Sequence, residues 1–263
     1  MPRRSRWSQK SFEKGVQEIE LFSWDYFGDY IYDRLLDFKT YVFRGHRRSD
    51  WKLESTLDRE LRGTLPNLRQ SRMQAHLETF KHAARGRRGQ NPPRLDTEND
   101  WWALGQHYGL YTPLLDWTTS PYVAAFFAFE KTKHDDSHRR AIWCLAQKSI
   151  ADRSTEIASQ HSGNDRPPIV EFIRPFSDEN SRLVNQGGLF TRSPLGVDLE
   201  TWVKQQFPNE TKSCLLIKIT APSHSRHKCL QELNRMNINY LTLFPDLYGA
   251  SLHCNTAHKI QNY

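Results

Sequence analysis

Apolar residues recur every three or four positions from 11 to 36: Phe12, Val16, Ile19 and Leu21-Phe22, then Tyr26, Phe27, Tyr30, Ile31 and Leu35. That spacing predicts an N-terminal helical segment, about 11–38, with a break and a fresh cap at Ser23 before Asp25. Tyr41-Val42-Phe43 is a short β-rich run that Gly45 ends, and Ser55 to Arg62 opens a short helix. Pro66 starts a longer helix, whose face is Leu68, Met73, Leu77, Phe80 and Ala84. Gly86 to Arg94 is rich in Gly, Pro and Arg, which predicts a mobile surface loop. Asp96-Thr97 caps a helix with Trp101, Trp102 and Leu104, terminated by Gly105 or Gly109.

Leu114 to Thr119 reads as extended. Ser120 and Pro121 then start a helix through Lys131 that is almost entirely apolar, and a helix apolar all round is buried. After the charged turn His134–Arg140, Ala141–Ala146 predicts a central strand and Ile169–Ile173 another. Cys214–Ile219 is the clearest strand. Lys228–Asn237 predicts an amphipathic helix with Leu230, Leu233 and Met236 inward. Tyr240–Phe244 reads as a last short strand or turn, and Pro245–Gly249 closes the fold. No repeat appears, so the pattern predicts a single α+β domain over 1–263.

Eight Trp, ten Tyr and fourteen Phe supply core area that the 37% hydrophobic content alone would not, which argues against disorder. The net charge of +7 favours anionic partners, nucleic acid or a phosphorylated cofactor, with a bland basic surface as the alternative. Cys144, Cys214, Cys229 and Cys254 are widely spaced, so a reducing cytoplasmic setting is expected rather than a disulfide framework. The basic start, Met1 to Trp7, has no apolar stretch after it, and neither a signal peptide nor a membrane span is expected.

Residues 106–120 carry imidazole, phenol, carboxylate and hydroxyl groups between apolar flanks, and each must find a partner or cost a few kcal/mol. Arg44, at a strand end before Gly45, offers a fork of donors to a phosphate or carboxylate, or else pairs with a carboxylate such as Asp116. Thr118 and Ser120 sit where a strand turns into a helix N-terminus, a place for an anion or for capping alone. Asp116 orients Arg44, His107 or a ligand ribose, or is a structural partner. His107 and Tyr108 beside Gly109 suit a planar ligand or simply satisfy the core. Arg182 and Gln186, with Gly187-Gly188, form a second polar cluster or a tight turn. Neither Cys nor His spacing predicts a metal site, and no phosphate-loop or dinucleotide fingerprint is present.

Phe43-Arg44-Gly45, Asp50-Trp51-x-Leu53, Gln106-His107-Tyr108-Gly109-x-x-Thr112-x-Leu114-Leu115-Asp116-Trp117-Thr118, Arg182-x-x-x-Gln186-x-Gly188-x-Phe190 and Leu243-Phe244-Pro245-Asp246-Leu247 resemble the FRG domain family, over a core of about 15–252. A weaker resemblance links Tyr41–Gly45, Trp117-Thr118-Thr119-Ser120 and the following Ala- and Phe-rich helix to ADP-ribosyltransferases. That resemblance implies a mixed, split β-sheet with flanking helices and NAD as substrate, without a metal. Arg44 would hold an NAD phosphate, beside Phe43 and Gly45, and Thr118 or Ser120 would order the strand next to the nicotinamide. The chain departs from that pattern at the late Glu-x-Glu or Gln-x-Glu. Its one Glu-x-Glu, Glu18-Ile19-Glu20, precedes Arg44, which leaves Glu171 and Gln186 as substitutes.

The resemblance therefore implies ADP-ribose transfer to a macromolecule, with DNA or RNA favoured by the charge, in a toxin or anti-phage defence effector. The alternatives are a non-catalytic module that senses a nucleotide or binds nucleic acid, and an interaction scaffold.

Overall fold

A computed structural model describes residues 5–37, 40–134, 136–163, 165–175 and 184–263. In chain order its elements are β1 (Trp7–Glu13), β2 (Val16–Leu21), α1 (Phe27–Arg34), β3 (Tyr41–His46), α2 (Thr56–Glu60), α3 (Pro66–Ala83), α4 (Glu98–His107), β4 (Leu114–Thr118) and α5 (Pro121–Phe129). Then follow β5 (Arg139–Ala146), α6 (Gln147–Gln160), β6 (Glu171–Ile173), β7 (Gly188–Arg192), α7 (Leu199–Gln206), β8 (Leu216–Pro222), α8 (Arg226–Arg235), α9 (Tyr240–Leu243) and α10 (Leu247–Lys259).

The architecture is α+β. One eight-stranded mixed sheet runs β1-β2-β8-β5-β3-β4-β7-β6, with β2 and β8 parallel and the other neighbours antiparallel. Alternation along each strand feeds two cores. On β5, Ile142 and Cys144 join α1, α5 and α8 on one face, while Ala141, Trp143 and Leu145 join Trp117 and Trp202 on the other. A third cluster packs Met73 and Leu77 of α3 and Trp102 of α4 on Leu114 and Phe190.

The helix expected over 11–38 forms only at Phe27–Arg34, and Trp7–Leu21 is a hairpin instead. Lys14 (φ 51°) and Gly15 (φ 77°) make its two-residue turn, the left-handed pair that matches strand twist. Val16 faces one core, Ile19 and Leu21 the other, so a strand buried on both faces mimicked helical spacing. Ser23 does cap the 3₁₀ turn that follows.

Further east along the chain, Ile169–Ile173 contributes only Glu171–Ile173, at the sheet edge rather than its centre. The strand expected from Cys214 begins at Leu216 and extends to Pro222. Met236 caps the C-terminus of α8 and is exposed, because Asn237 (φ 60°) turns the chain there. Tyr240–Leu243 is a short helix rather than a strand: the Asn239 side chain accepts from the Leu241 and Thr242 amides, and this cap overrides the β-like composition. The chain does not close at Gly249, since Asp246 caps the 13-residue α10. Helix α6 buries only Ile150 and Ser154 and so gives a weak periodic signal. Helix α7 instead carries Leu199, Trp202 and Val203 at helical spacing behind the Asp198 cap, a signal that the sequence reading passed over.

The feature that positions the site is the join of β3 to β4. Strand β3 pairs with β5 at every position from Tyr41 to His46, and β4 pairs with β7 from Leu114 to Thr118. Between β3 and β4 a single register pair holds, Phe43 with Thr118. The sheet splays beyond it.

Helix α5 lies against this splay because Gly45 lets it approach. A Cβ at Gly45 would overlap the Ala124 carbonyl oxygen and sit 2.6 Å from the Ala128 nitrogen. Gly45→Ala is therefore expected to cost roughly 3 kcal/mol or more, a melting fall of about 6–12 °C. Gly63→Ala, with open space around it, is the matched control and should move melting by no more than about 1–2 °C. Equal thermal shifts in the two variants would contradict this packing.

Candidate active site in the splay between β3 and β4

A cleft of about 500 Å³ occupies the splay. Phe43, Arg44 and Gly45 form its β3 side, and Asp116, Trp117 and Thr118 its β4 side. Gln106 and His107 enter from the end of α4, Ala124 and Phe127 from α5, Glu130 and Lys131 from just past its C-terminus, and Gln186, Phe190 and Phe244 complete the lining. The volume is in the range of small-molecule and cofactor sites.

Arg44 spans the gap where the strands part. Its Nη1 donates to the main-chain oxygen of Asp116 at 2.7 Å and lies 3.4 Å from the Asp116 carboxylate. Its Nε donates to His46 Nε2 at 3.1 Å, which leaves Nη2 without a partner among the described residues. Burial disfavours the Arg44 charge, and Asp116 opposes that effect. The Asp116 carboxylate also accepts from Gln106 Nε2 at 2.9 Å, so Asp116 is held from two sides.

His46 is buried below Arg44, between the rings of Trp51 (6.0 Å) and Trp143 (6.4 Å). Because Arg44 Nε–H donates to Nε2, the neutral imidazole carries its proton on Nδ1. Burial first, then the Arg44 charge, hold its pKa well below 6.5. Between pH 6.5 and that lower native value the unfolded chain binds more protons than the folded one. The His46 contribution to stability is thus expected to be complete above about pH 6.5 and to decline as pH falls through that window, by up to about 1.4 kcal/mol per pH unit. His46→Gln, which keeps an acceptor for Arg44, is expected to flatten this slope in denaturant unfolding at pH 7.5 and 5.5. An unchanged slope would exclude His46 as its source.

Thr118 ties the end of β4 to the segments on either side of it. Its hydroxyl donates to the Gln186 main-chain oxygen at 2.6 Å and accepts from the Ser120 amide at 3.1 Å. Gln186 Nε2 donates to the Leu243 oxygen at 3.1 Å, tying the segment before β7 to α9. Ser120 caps α5 by accepting from the Val123 amide and does not line the cleft.

Glu171 is not brought to the cleft. It lies on the edge strand opposite Arg192, at the far end of β7, and binds Arg166 at 3.0 Å and Asn99. Tyr108 is exposed and outside the lining, and Gly109 (φ 84°) is the turn that ends α4. Arg182 lies outside the described residues. Phe43, Arg44, Gly45, His107, Asp116, Thr118 and Gln186 do converge.

Sequence reading passed over Glu130, the first charged residue after the apolar run from Pro121. Its side chain is 9% exposed, lines the cleft, accepts from the Tyr240 hydroxyl at 2.6 Å and lies 3.3 Å from Lys131. Burial, and secondarily Glu130, raise the Tyr240 pKa, so the phenol remains a donor at neutral pH. The only other carboxylate in the lining, among the described residues, is Asp116. No group of three or more His, Cys, Asp or Glu that could hold a metal occurs among the described residues, and no described helix is long and apolar enough to cross a membrane.

Residues 39–137 match the family model of the FRG domain. The match takes in β3, α4, β4 and α5 and ends before Gln186. No curated protein and no solved structure matches the chain.

Proposed function

We propose, for a chain that carries an FRG domain over residues 39–137, that the splayed cleft binds NAD and transfers ADP-ribose to a macromolecule, nucleic acid being the favoured acceptor. The observation that carries this reading is that Arg44, with one guanidinium nitrogen unengaged, and the anchored carboxylate of Glu130 line the same 500 Å³ cleft.

A diphosphate needs fixed donors, and Arg44 offers them in a site shielded enough for charge-assisted hydrogen bonds to count. Phe127 and Phe244, rings 6.1 Å apart, give an aromatic seat for nicotinamide. In the transfer, the bond from ribose C1′ to the nicotinamide nitrogen breaks and its electron pair leaves with neutral nicotinamide. An acceptor oxygen or nitrogen bonds C1′ and gives its proton to water. Positive charge builds on the ribose between these events, and Glu130 is the group suited to stabilise it, a mainly electrostatic task. Glu130 thus takes the place first considered for Glu171 and Gln186.

Calorimetric titration with NAD and with ADP-ribose tests the binding half. Each is expected to bind one site per chain and to compete with the other. Absence of binding by folded protein would remove the reading. A second reading, a nucleotide sensor without turnover, draws on the engagement of Glu130 by Tyr240 and Lys131. It predicts NAD binding with no nicotinamide released.

A further inference from the structure

Beside the cleft lies a second chamber of about 480 Å³, lined by Arg47, Lys52, Arg59, Arg62 and Lys133 with the Trp51 indole in its wall. Arg44, Gly45, Phe127, Glu130 and Lys131 line both spaces, so the two are continuous. Among the described residues, seven Lys and Arg side chains face two carboxylates, Glu54 and Glu130, in this chamber.

Only part of that charge is matched. Arg62 pairs with Glu54, Arg47 with Asp136, Arg44 with Asp116 and Lys131 with Glu130. Arg59 donates to the Glu54 main-chain oxygen at 2.8 Å, and Lys52 is 3.8 Å from Asp198. Lys133 has no ion-pair partner among the described residues. Trp51 is 42% exposed, and the Arg47 guanidinium lies 4.9 Å from its ring centroid.

Unmatched cations alone would suit any polyanion. A partly exposed indole among them adds a flat stacking surface, and the ligand that uses both is a phosphodiester strand with accessible bases. A duplex keeps its bases inside the stack and cannot offer one to Trp51. We propose that this chamber binds single-stranded nucleic acid, with one base on Trp51 and flanking phosphates on Lys52, Arg59 and Lys133. The strand then lies next to the Arg44–Glu130 cleft as the acceptor; that role rests on the transferase reading, while the binding itself does not.

The test is fluorescence anisotropy with labelled oligo-U and oligo-T of ~12 nucleotides, a hairpin duplex, and heparin as competitor, over about 50–200 mM salt. Single strands are expected to bind more tightly than the duplex, with affinity falling as salt rises. Trp51→Leu should weaken single-strand binding roughly tenfold at unchanged salt slope, and Trp51→Phe by no more than about threefold. The Lys52→Glu, Lys133→Glu double variant should reduce the slope by about 0.7 per lost phosphate contact.

Melting temperatures within a few degrees of the parent show that each variant is folded. Absence of strand binding, equal affinity for duplex, or a Trp51→Leu variant that binds normally would overturn the proposal. NAD titration of Trp51→Leu is expected to be unchanged. Strand binding without NAD binding would remove the transferase reading alone, and NAD binding without strand binding would remove the chamber alone.

Discussion

Arg44→Ala is expected to weaken NAD binding about 30- to 150-fold, the loss of roughly 2–3 kcal/mol of charge-assisted hydrogen bonding to a diphosphate. The protein itself should survive. Asp116 keeps Gln106 as a donor and is largely open to water, so its carboxylate is not stranded when the guanidinium goes. A melting fall of only about 2–4 °C per kcal/mol lost is expected for the broken contacts to the Asp116 oxygen and His46. Arg44→Lys is the sharper comparison. It keeps the charge but lacks the fork that reaches His46 and the Asp116 oxygen while leaving a nitrogen for ligand, and affinity should drop about tenfold. Titration of the parent and both variants with NAD checks this. Equal affinity in Arg44→Ala and the parent would place the diphosphate elsewhere.

Glu130→Gln is expected to lower the rate of nicotinamide release about 10²- to 10³-fold while changing NAD affinity by no more than about threefold. The amide keeps the shape and an acceptor for Tyr240, so α5 should pack as before. What disappears is the negative charge that favours the cationic ribose over its ground state, an interaction made mainly in the transition state. Tyr240→Phe removes the hydroxyl that anchors the carboxylate and should slow release by roughly tenfold, through positioning rather than charge. Single-turnover kinetics at saturating NAD separate rate from binding. A Glu130→Gln variant with the parent's rate would assign the charge to another group.

Much of the cleft was legible before any coordinates. Asp116 and Thr118 alternated on one short strand and Ser120-Pro121 announced the buried helix, and both local signals carry over into geometry. Arg44 was read at a strand end closed by Gly45, whereas β3 continues through Gly45 to His46, each paired with β5. Gly45 was legible as a glycine but not for its reason, since the Ala124–Ala128 ridge that needs it is 79 residues or more away. Glu130 was missed because nothing local distinguishes it from any charge that ends a helix. Its meaning comes from Tyr240, which belongs to a helix that composition disguised as a strand. Glu171 entered only as a substitute for the missing late Glu pattern, but its strand pairs at the sheet edge and its carboxylate is outside the cleft. The N-terminal hairpin failed for a different cause: β2 buries both faces, and period two read across two cores looks like period three.

The splay is the physical centre of the account, since one register pair between β3 and β4 opens the sheet just where Arg44 crosses it. The measurement that bears on it most directly is release of nicotinamide from NAD by the folded parent protein, with a single-stranded oligonucleotide present and the adenylate labelled. Nicotinamide release, label transferred to the strand, and loss of both in Arg44→Ala and Glu130→Gln are the expected results. Folded parent protein that neither binds NAD nor releases nicotinamide would contradict the account.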